Sequence, residues 1–302
     1  MSIVTPYPAV SGARIARAYL ELTKPRIVSL VLFTGLPALL LANHALPSPR
    51  VLWGALVGIA LSAASAAAFN HYFDRDIDGL MVRTRTRPLP SGVLPPHAAA
   101  ALGLVLAWLS WVVLCVACNP LSALIAMTSI FYYAVVYTVW LKRRTPQNIV
   151  IGGGAGASAP IIAWAAATGR VELPALLMAA IIFLWTPPHF WALSLYRRDD
   201  YLRAQLPMLP VTHGEPATRR HILAYSLVLV AVSLAVGPLA GLGPFTFGAA
   251  ALLGAWFVRE AWRLDREPST RRAMGLFRYS IVYLFVLFLV MTVDALRRMA
   301  PS

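Results

Sequence analysis

The sequence predicts an all-α polytopic membrane protein, a bundle of about nine transmembrane helices around a cytoplasm-facing intramembrane chamber, and three observations carry that prediction. Of 302 residues, 59% are hydrophobic and only 13% charged, with a mean hydropathy of +0.69, too apolar for a water-soluble chain of this length. The apolar residues gather into stretches near the ~20 residues that a helix needs to cross a bilayer, without the short alternating segments of a transmembrane barrel. The basic residues fall in alternate loops, the pattern by which membrane topology is set.

The stretches run over 27–44, 51–71, 97–118, 121–141, 147–167, 173–195, 221–240, 243–258 and 277–296. Ahead of them, Tyr7, Pro8, Arg14 and Arg17 make the first residues too polar for a signal peptide. Residues 1–22 therefore read as a cytoplasmic N-terminal tail and 23–302 as one transmembrane domain whose first span is retained. Lys24 and Arg26 open the first span, and Arg75, Arg83, Arg85 and Arg87 follow the second. Lys142, Arg143 and Arg144 close the fourth, and further arginines follow the sixth and the eighth. Of the 26 Lys and Arg, 22 lie on that side and four, Arg50, Arg170, Arg297 and Arg298, on the other. Positive charge stays cytoplasmic, which predicts an N-terminus inside and a C-terminus outside. The net charge of +14 is then a consequence of topology. It calls for no nucleic acid as partner; the partner the composition does demand is the lipid bilayer. Cys115 and Cys118 form a CxxC at the outer end of the third span; inside an apolar helix they serve as small hydrophobes, and no further ligands for a structural zinc accompany them.

Ten of the twelve carboxylates lie on the charged side, and the informative ones cluster in Asn70-His71-Tyr72-Phe73-Asp74-Arg75-Asp76-Ile77-Asp78-Gly79. If the second helix continues through this stretch, Asn70, Asp74 and Asp78 recur every four residues and stack on one face, and Asp76 points elsewhere. His71 lies beside this ladder but off its face, which suits a structural role. Oxygen side chains aligned where a helix leaves the bilayer are costly unless they bind cations. Hard oxygen ligands select Mg²⁺, Mn²⁺ or Ca²⁺, and Mg²⁺ takes a few carboxylates together with phosphate oxygens and water. Arg83, Arg85 and Arg87 follow directly, and arginine recognises phosphate through forked hydrogen bonds. Alone such a run is a topology signal; beside the acid ladder it makes sense if a Mg²⁺-diphosphate sits between them.

Other segments are less specific. Lys142 to Arg144 read as positive-inside charge. Asp199 and Asp200 diverge by about 100° on a helix, so one of them, Asp200, is placed to reach a second metal. Tyr133, Tyr137 and Trp140 form a helical stripe running down to Lys142, which is either packing or a π-rich wall that shields a carbocation. His189, between Pro188 and Phe190, is either a heme-iron ligand, a partner for a propionate, a proton carrier or a hydrogen-bonded core residue.

Taken together these residues resemble the intramembrane prenyltransferase superfamily of UbiA type, and within it the heme-farnesylating branch. Asn70-x3-Asp74-x3-Asp78 followed by Arg83-Thr84 and Arg87-Pro88-Leu89 is similar to the superfamily's first Asp-rich motif. Leu22 to Arg26, Lys142 to Gly153, Thr186-Pro187-Pro188-His189-Phe190-Trp191, and Asp200-Tyr201 with Leu206 to Val211 are similar to segments of the heme branch, so the resemblance covers nearly all of the chain. It departs at the second motif: where DxxxD is usual, Asp199 plus four is Arg203 and Asp200 plus four is Ala204. Asp200 is thus left as that site's carboxylate, with Arg203 placed to hold diphosphate. The resemblance implies transfer of a farnesyl group from farnesyl diphosphate to the 2-vinyl group of heme B, giving the hydroxyethylfarnesyl chain of heme O. It implies Mg²⁺ on Asn70, Asp74, Asp78 and Asp200, with Asn70, Asp74, Asp78, Arg83 and Arg87 in catalysis. Substrate contacts fall to Lys24, Arg26, Tyr133, Tyr137, Lys142, His189 and Arg203. It further implies a bacterial inner-membrane location and hand-over to heme A synthase or oxidase assembly proteins. Two rivals remain: prenylation of a quinone precursor on the same fold, and secondary transport, which places its charges near the midplane rather than at the rim.

Overall fold

The computed structural model describes residues 11–43 and 45–299; Tyr7, Pro8 and the rest of the first ten residues of the predicted tail lie outside them. Within the described residues the chain is helical throughout: α1 (Gly12–Leu22), α2 (Pro25–Leu41), α3 (Pro49–Leu80), α4 (Pro96–Ala117) and α5 (Pro120–Phe131), which continues as a π-helix over Tyr132–Leu141. There follow α6 (Asn148–Gly156), α7 (Ser158–Thr168), α8 (Leu173–Tyr196), the short α9 (Arg198–Arg203) and α10 (Leu209–Thr212), then α11 (Gly214–Leu239), α12 (Pro244–Arg266) and α13 (Thr270–Met299). Proline opens α2, α3, α4, α5 and α12, where its missing N–H has no intrahelical partner to lose. Ser48 and Asn119 cap α3 and α5 through Val51 N and Ser122 N.

Eight stretches of the described chain are long and apolar enough to cross a membrane. The eighth predicted span, 243–258, forms α12 but falls outside that group, because Arg259, Glu260, Arg263, Asp265 and Arg266 charge its last two turns. It nonetheless packs between α11 and α13 as a member of the bundle. The fifth span is α6 and α7 joined at Ala157. The tail is not featureless: α1 buries Ala18 and Leu22 against Leu89, Leu94 and Ala99, fastening the α3–α4 loop over the charged end.

Small residues let helices meet closely, as packing in lipid favours. A side chain at Gly54 or Gly58 of α3 would lie 2.3 Å from Ala117 Cβ or 2.4 Å from Leu114 Cγ of α4. The same interface carries two hydrogen bonds at 2.8 Å, from Ser65 Oγ to the Gly103 carbonyl and from Ser110 Oγ to the Gly58 carbonyl. α13 packs on both α8 and α2 and so closes the bundle.

Candidate active site

α3 has 32 residues, about 48 Å at 1.5 Å each, against a hydrocarbon core of ~30 Å, so its last turns carry Asn70 to Asp78 to the charged end of the bundle. Asn70, Asp74 and Asp78 share one face and are 4%, 1% and 1% exposed. Cations from three other segments close on them. Lys24 sits at the break between α1 and α2 in the left-handed conformation (φ 50°) and donates from Nζ to Asn70 Oδ1 at 2.6 Å. Asn70 Nδ2 donates to Asp74 Oδ2 at 2.6 Å and to Thr138 Oγ1 at 3.3 Å. Lys142, just past the π-helix, also pairs with Asp74 Oδ2. Arg87 donates to both oxygens of Asp78, at 2.9 and 2.7 Å, and Thr84 Oγ1 ties the loop to the Asp78 carbonyl at 2.8 Å. Asp74 Oδ1 is buried without any partner.

Asp76 lies on another face, exposed, where Arg143 donates to both its oxygens at 2.6 Å. Those hydrogen bonds are the main reason the Arg143 guanidinium is held even more firmly protonated than usual.

The ladder lines a cavity of about 610 Å³ together with Glu21, Arg26, Arg83 and Arg87. Ile27, Met81, Ile149, Phe190, Leu206 and Met208 make up the apolar part of its wall. Tyr133 and Tyr137 are on the wall too, their ring centroids 5.3 Å apart. Such a lining can hold both a charged, oxygen-rich group and a hydrocarbon. A groove of about 600 Å³ between α11 and α12 is open and lined by Val230, Leu234, Ala251 and Trp262, with Arg259 its sole charge; it has no comparable chemistry.

Several expectations need correction. The predicted stripe assumed α-helical spacing, but residues 132–141 are π-helical, with Lys142 N bonded five back to the Tyr137 carbonyl. That register keeps Tyr133 and Tyr137 on the cavity and turns Trp140 outward, 49% exposed and edge-on to Phe131. Gly152 makes room for this turn, since a Cβ there would stand 2.5 Å from the Tyr137 ring. Asp200 and Arg203 do not join the cavity; they pair with each other, and Arg197 Nη1 lies 4.0 Å from Asp200. Only their neighbour Tyr201 reaches the wall. His189 is set in the packing of α8 on α13: Nδ1 lies 2.6 Å from Ser280 Oγ, and the ring is stacked between Trp185 and Phe277 at 4.2 and 4.6 Å. It too is absent from the cavity wall. His71, by contrast, is on that wall, because residues three and seven apart share a helix face as surely as those four apart. Counting from Asp74 and Asp78 instead of Asn70 would have found it. Cys118 is half-buried, its Sγ 3.7 Å from the Val51 carbonyl oxygen, as suits a packed thiol.

The chain matches the model of the UbiA prenyltransferase family over residues 31–289. It is 49% identical to the protoheme IX farnesyltransferase of Azotobacter vinelandii over 279 residues, 92% of this chain and 93% of that protein. Its fold is similar to a structure described for digeranylgeranylglyceryl phosphate synthase, with a TM-score of 0.78 and 17% identity over 94% of this chain and 99% of that one. It is also similar to a UbiA homolog from Archaeoglobus fulgidus bound to GPP and Mg²⁺, with a TM-score of 0.63 and 18% identity over 91% of this chain and 99% of that one.

Proposed function

Because the chain belongs to the UbiA prenyltransferase family, we propose that it transfers a farnesyl group from farnesyl diphosphate to the 2-vinyl group of heme B, forming heme O. The reading is carried by one juxtaposition: the buried Asn70, Asp74, Asp78 ladder and the cations Lys24, Arg83, Arg87 and Lys142 share a cavity with apolar and aromatic side chains. The acceptor is chosen on the resemblance to the A. vinelandii relative.

A divalent cation fits the donor set. The ladder offers one amide and two carboxylates, all hard oxygen ligands, and Asp74 Oδ1 is a buried acceptor with no partner. Mg²⁺ suits so small a set, since it draws much of its shell from phosphate and water. Asn70, Asp74 and Asp78 would hold it, and when bound it neutralises the diphosphate and makes it a better leaving group.

The chain's own residues do the rest. Arg83, Arg87, Lys24 and Lys142 face the diphosphate and stabilise the electron pair it takes as the allylic C1–O bond breaks. Asp74 and Asp78, which would hold the cation, are paired with Lys142 and Arg87, so that none of these charges is buried alone. Tyr133 and Tyr137 present ring faces to the allylic carbon, where positive charge gathers. Ile27, Ile149, Phe190, Leu206 and Met208 keep water from that carbon until the terminal vinyl carbon bonds to C1. Water then adds at the remaining vinyl carbon and loses a proton, leaving the hydroxyl. The charged end faces the cytoplasm and the C-terminus the outside of a bacterial inner membrane, on the 22-to-four distribution of Lys and Arg. Heme A synthase or oxidase assembly proteins receive the product.

Detergent-purified protein given heme B, farnesyl diphosphate and Mg²⁺ should yield a porphyrin heavier by one farnesyl group and one hydroxyl, read by mass spectrometry, and chelation should stop it. Product from a quinone precursor and none from heme B would overturn the choice of acceptor.

A further inference from the structure

We propose that His71 is a further substrate-binding residue of this site, donating a hydrogen bond to the diphosphate of the prenyl donor; the inference rests on the reading of the site as a prenyl-diphosphate site. His71 is 2% exposed, lines the cavity, and has no hydrogen-bond partner at either Nδ1 or Nε2 among the described residues. An imidazole carries at least one N–H donor in every protonation state, and burying it unbonded is costly. On the same wall Lys24 is bonded to Asn70, Lys142 to Asp74 and Arg87 to Asp78. Apart from His71, the single buried polar side-chain atom on this wall without a partner is Asp74 Oδ1, an acceptor that takes no hydrogen bond from the ring and that the ladder would commit to a cation. The missing acceptor therefore comes with the ligand.

The surroundings say which ligand. Lys24, Arg83, Arg87 and Lys142 line the same cavity, so the site attracts an anion with several oxygens, and a diphosphate offers more acceptor positions than those cations fill. Direct ligation of the cation by the ring is the other use of an imidazole. The hard oxygens of Asn70, Asp74 and Asp78 select a Mg²⁺-like ion, which prefers oxygen to nitrogen. His71 stands one residue from Asn70 and three from Asp74 on the same helix, which places it beside the cation ligands. Its task is to orient the leaving group.

The test compares wild type with His71→Phe, which keeps a ring but no N–H, and His71→Gln, which restores an N–H. Titration calorimetry on the detergent-purified full chain, with a non-hydrolysable thio analogue of farnesyl diphosphate and Mg²⁺, reads affinity directly. His71→Phe should weaken binding by about tenfold to a hundredfold, as loss of a hydrogen bond to a charged group does. His71→Gln should recover a substantial part, while heme B absorbance and the melting temperature stay at wild-type values. With Mn²⁺ in place of Mg²⁺, electron spin-echo spectra should show no directly bound nitrogen. Unchanged affinity in His71→Phe, or a nitrogen bound to Mn²⁺, would overturn the proposal with the site reading intact. Wild-type protein that binds no prenyl diphosphate would instead overturn the site reading, and this one with it.

Discussion

Two buried acids at opposite ends of the bundle are satisfied in opposite ways. Asp294 on α13, 3% exposed, accepts from Thr246 N at 2.9 Å and Thr246 Oγ1 at 2.6 Å, both through Oδ2. It thereby caps the first turn of α12, where a negative charge meets the positive end of the helix dipole. Its partners, the backbone N–H and the hydroxyl of one residue, are uncharged, and nothing needs to leave for it to stay stable. Asp74 is held by Lys142 and Asn70 on one oxygen only, and its other oxygen is buried and bare. An acid kept for the fold is closed by neutral donors. An acid kept for chemistry is held by a lysine and an amide on one oxygen, with the other to spare.

The comparison breaks most sharply at the ladder. Asp74→Ala or Asp78→Ala should lower turnover by roughly 150-fold to 5,000-fold, since each removes a ligand and strands a partly buried Lys142 or Arg87, a loss of roughly 3–5 kcal/mol. Membrane insertion should be unaffected, which fractionation and a heme titration would verify. Next in size, Arg87→Ala should weaken the use of farnesyl diphosphate by about 1.5–3 kcal/mol, seen as a raised KM or a lowered kcat with heme binding unchanged. Asp294→Ala should do the reverse of both, costing about 1–3 kcal/mol of stability by leaving Thr246 N without its partner. The melting temperature in detergent should fall while kcat per folded molecule holds. A catalytic loss at Asp294 without a stability loss would erase the distinction between the two acids.

How much of this was legible in the sequence follows from the range of the interactions involved. The helices were, because a bilayer demands apolar stretches of set length. The alignment of Asn70, Asp74 and Asp78 was too, because i,i+4 spacing is local. The tail helix α1 was missed because its short amphipathic pattern is closed by Leu89 and Leu94, some seventy residues on. The π-helix had no signature: Tyr133, Tyr137 and Trp140 fit α-helical spacing, and the close approach of Gly152 to the Tyr137 ring comes from another helix. His189 was unreadable for a similar reason, since Ser280 and Phe277 come from α13, about ninety residues away. His71 was misplaced by arithmetic rather than by distance, its face being shared with Asp74 and Asp78 at spacings of three and seven.

The smallest expected effect is the one that tests the face assignment itself. Asp76 is two residues from both Asp74 and Asp78, carries the same carboxylate and also pairs with a cation, Arg143. Composition and charge cannot tell it from its neighbours; only its direction does. Its side chain is 60% exposed and that of Arg143 39%, so water already solvates both groups, and such a pair is worth about 0–1 kcal/mol. Losing it leaves no buried charge alone, because Arg143 also donates to the Phe73 carbonyl at 2.9 Å. Asp76→Ala should therefore keep turnover within about threefold of wild type, a change of under ~0.7 kcal/mol. Asp76→Ala combined with Arg143→Ala should do no more, measured in the same heme B assay as the ladder variants. A loss at Asp76 equal to that at Asp74 would mean that the helix presents a different face to the substrate. The cations about Asp74 and Asp78 would then be topology charge that happens to lie near acids.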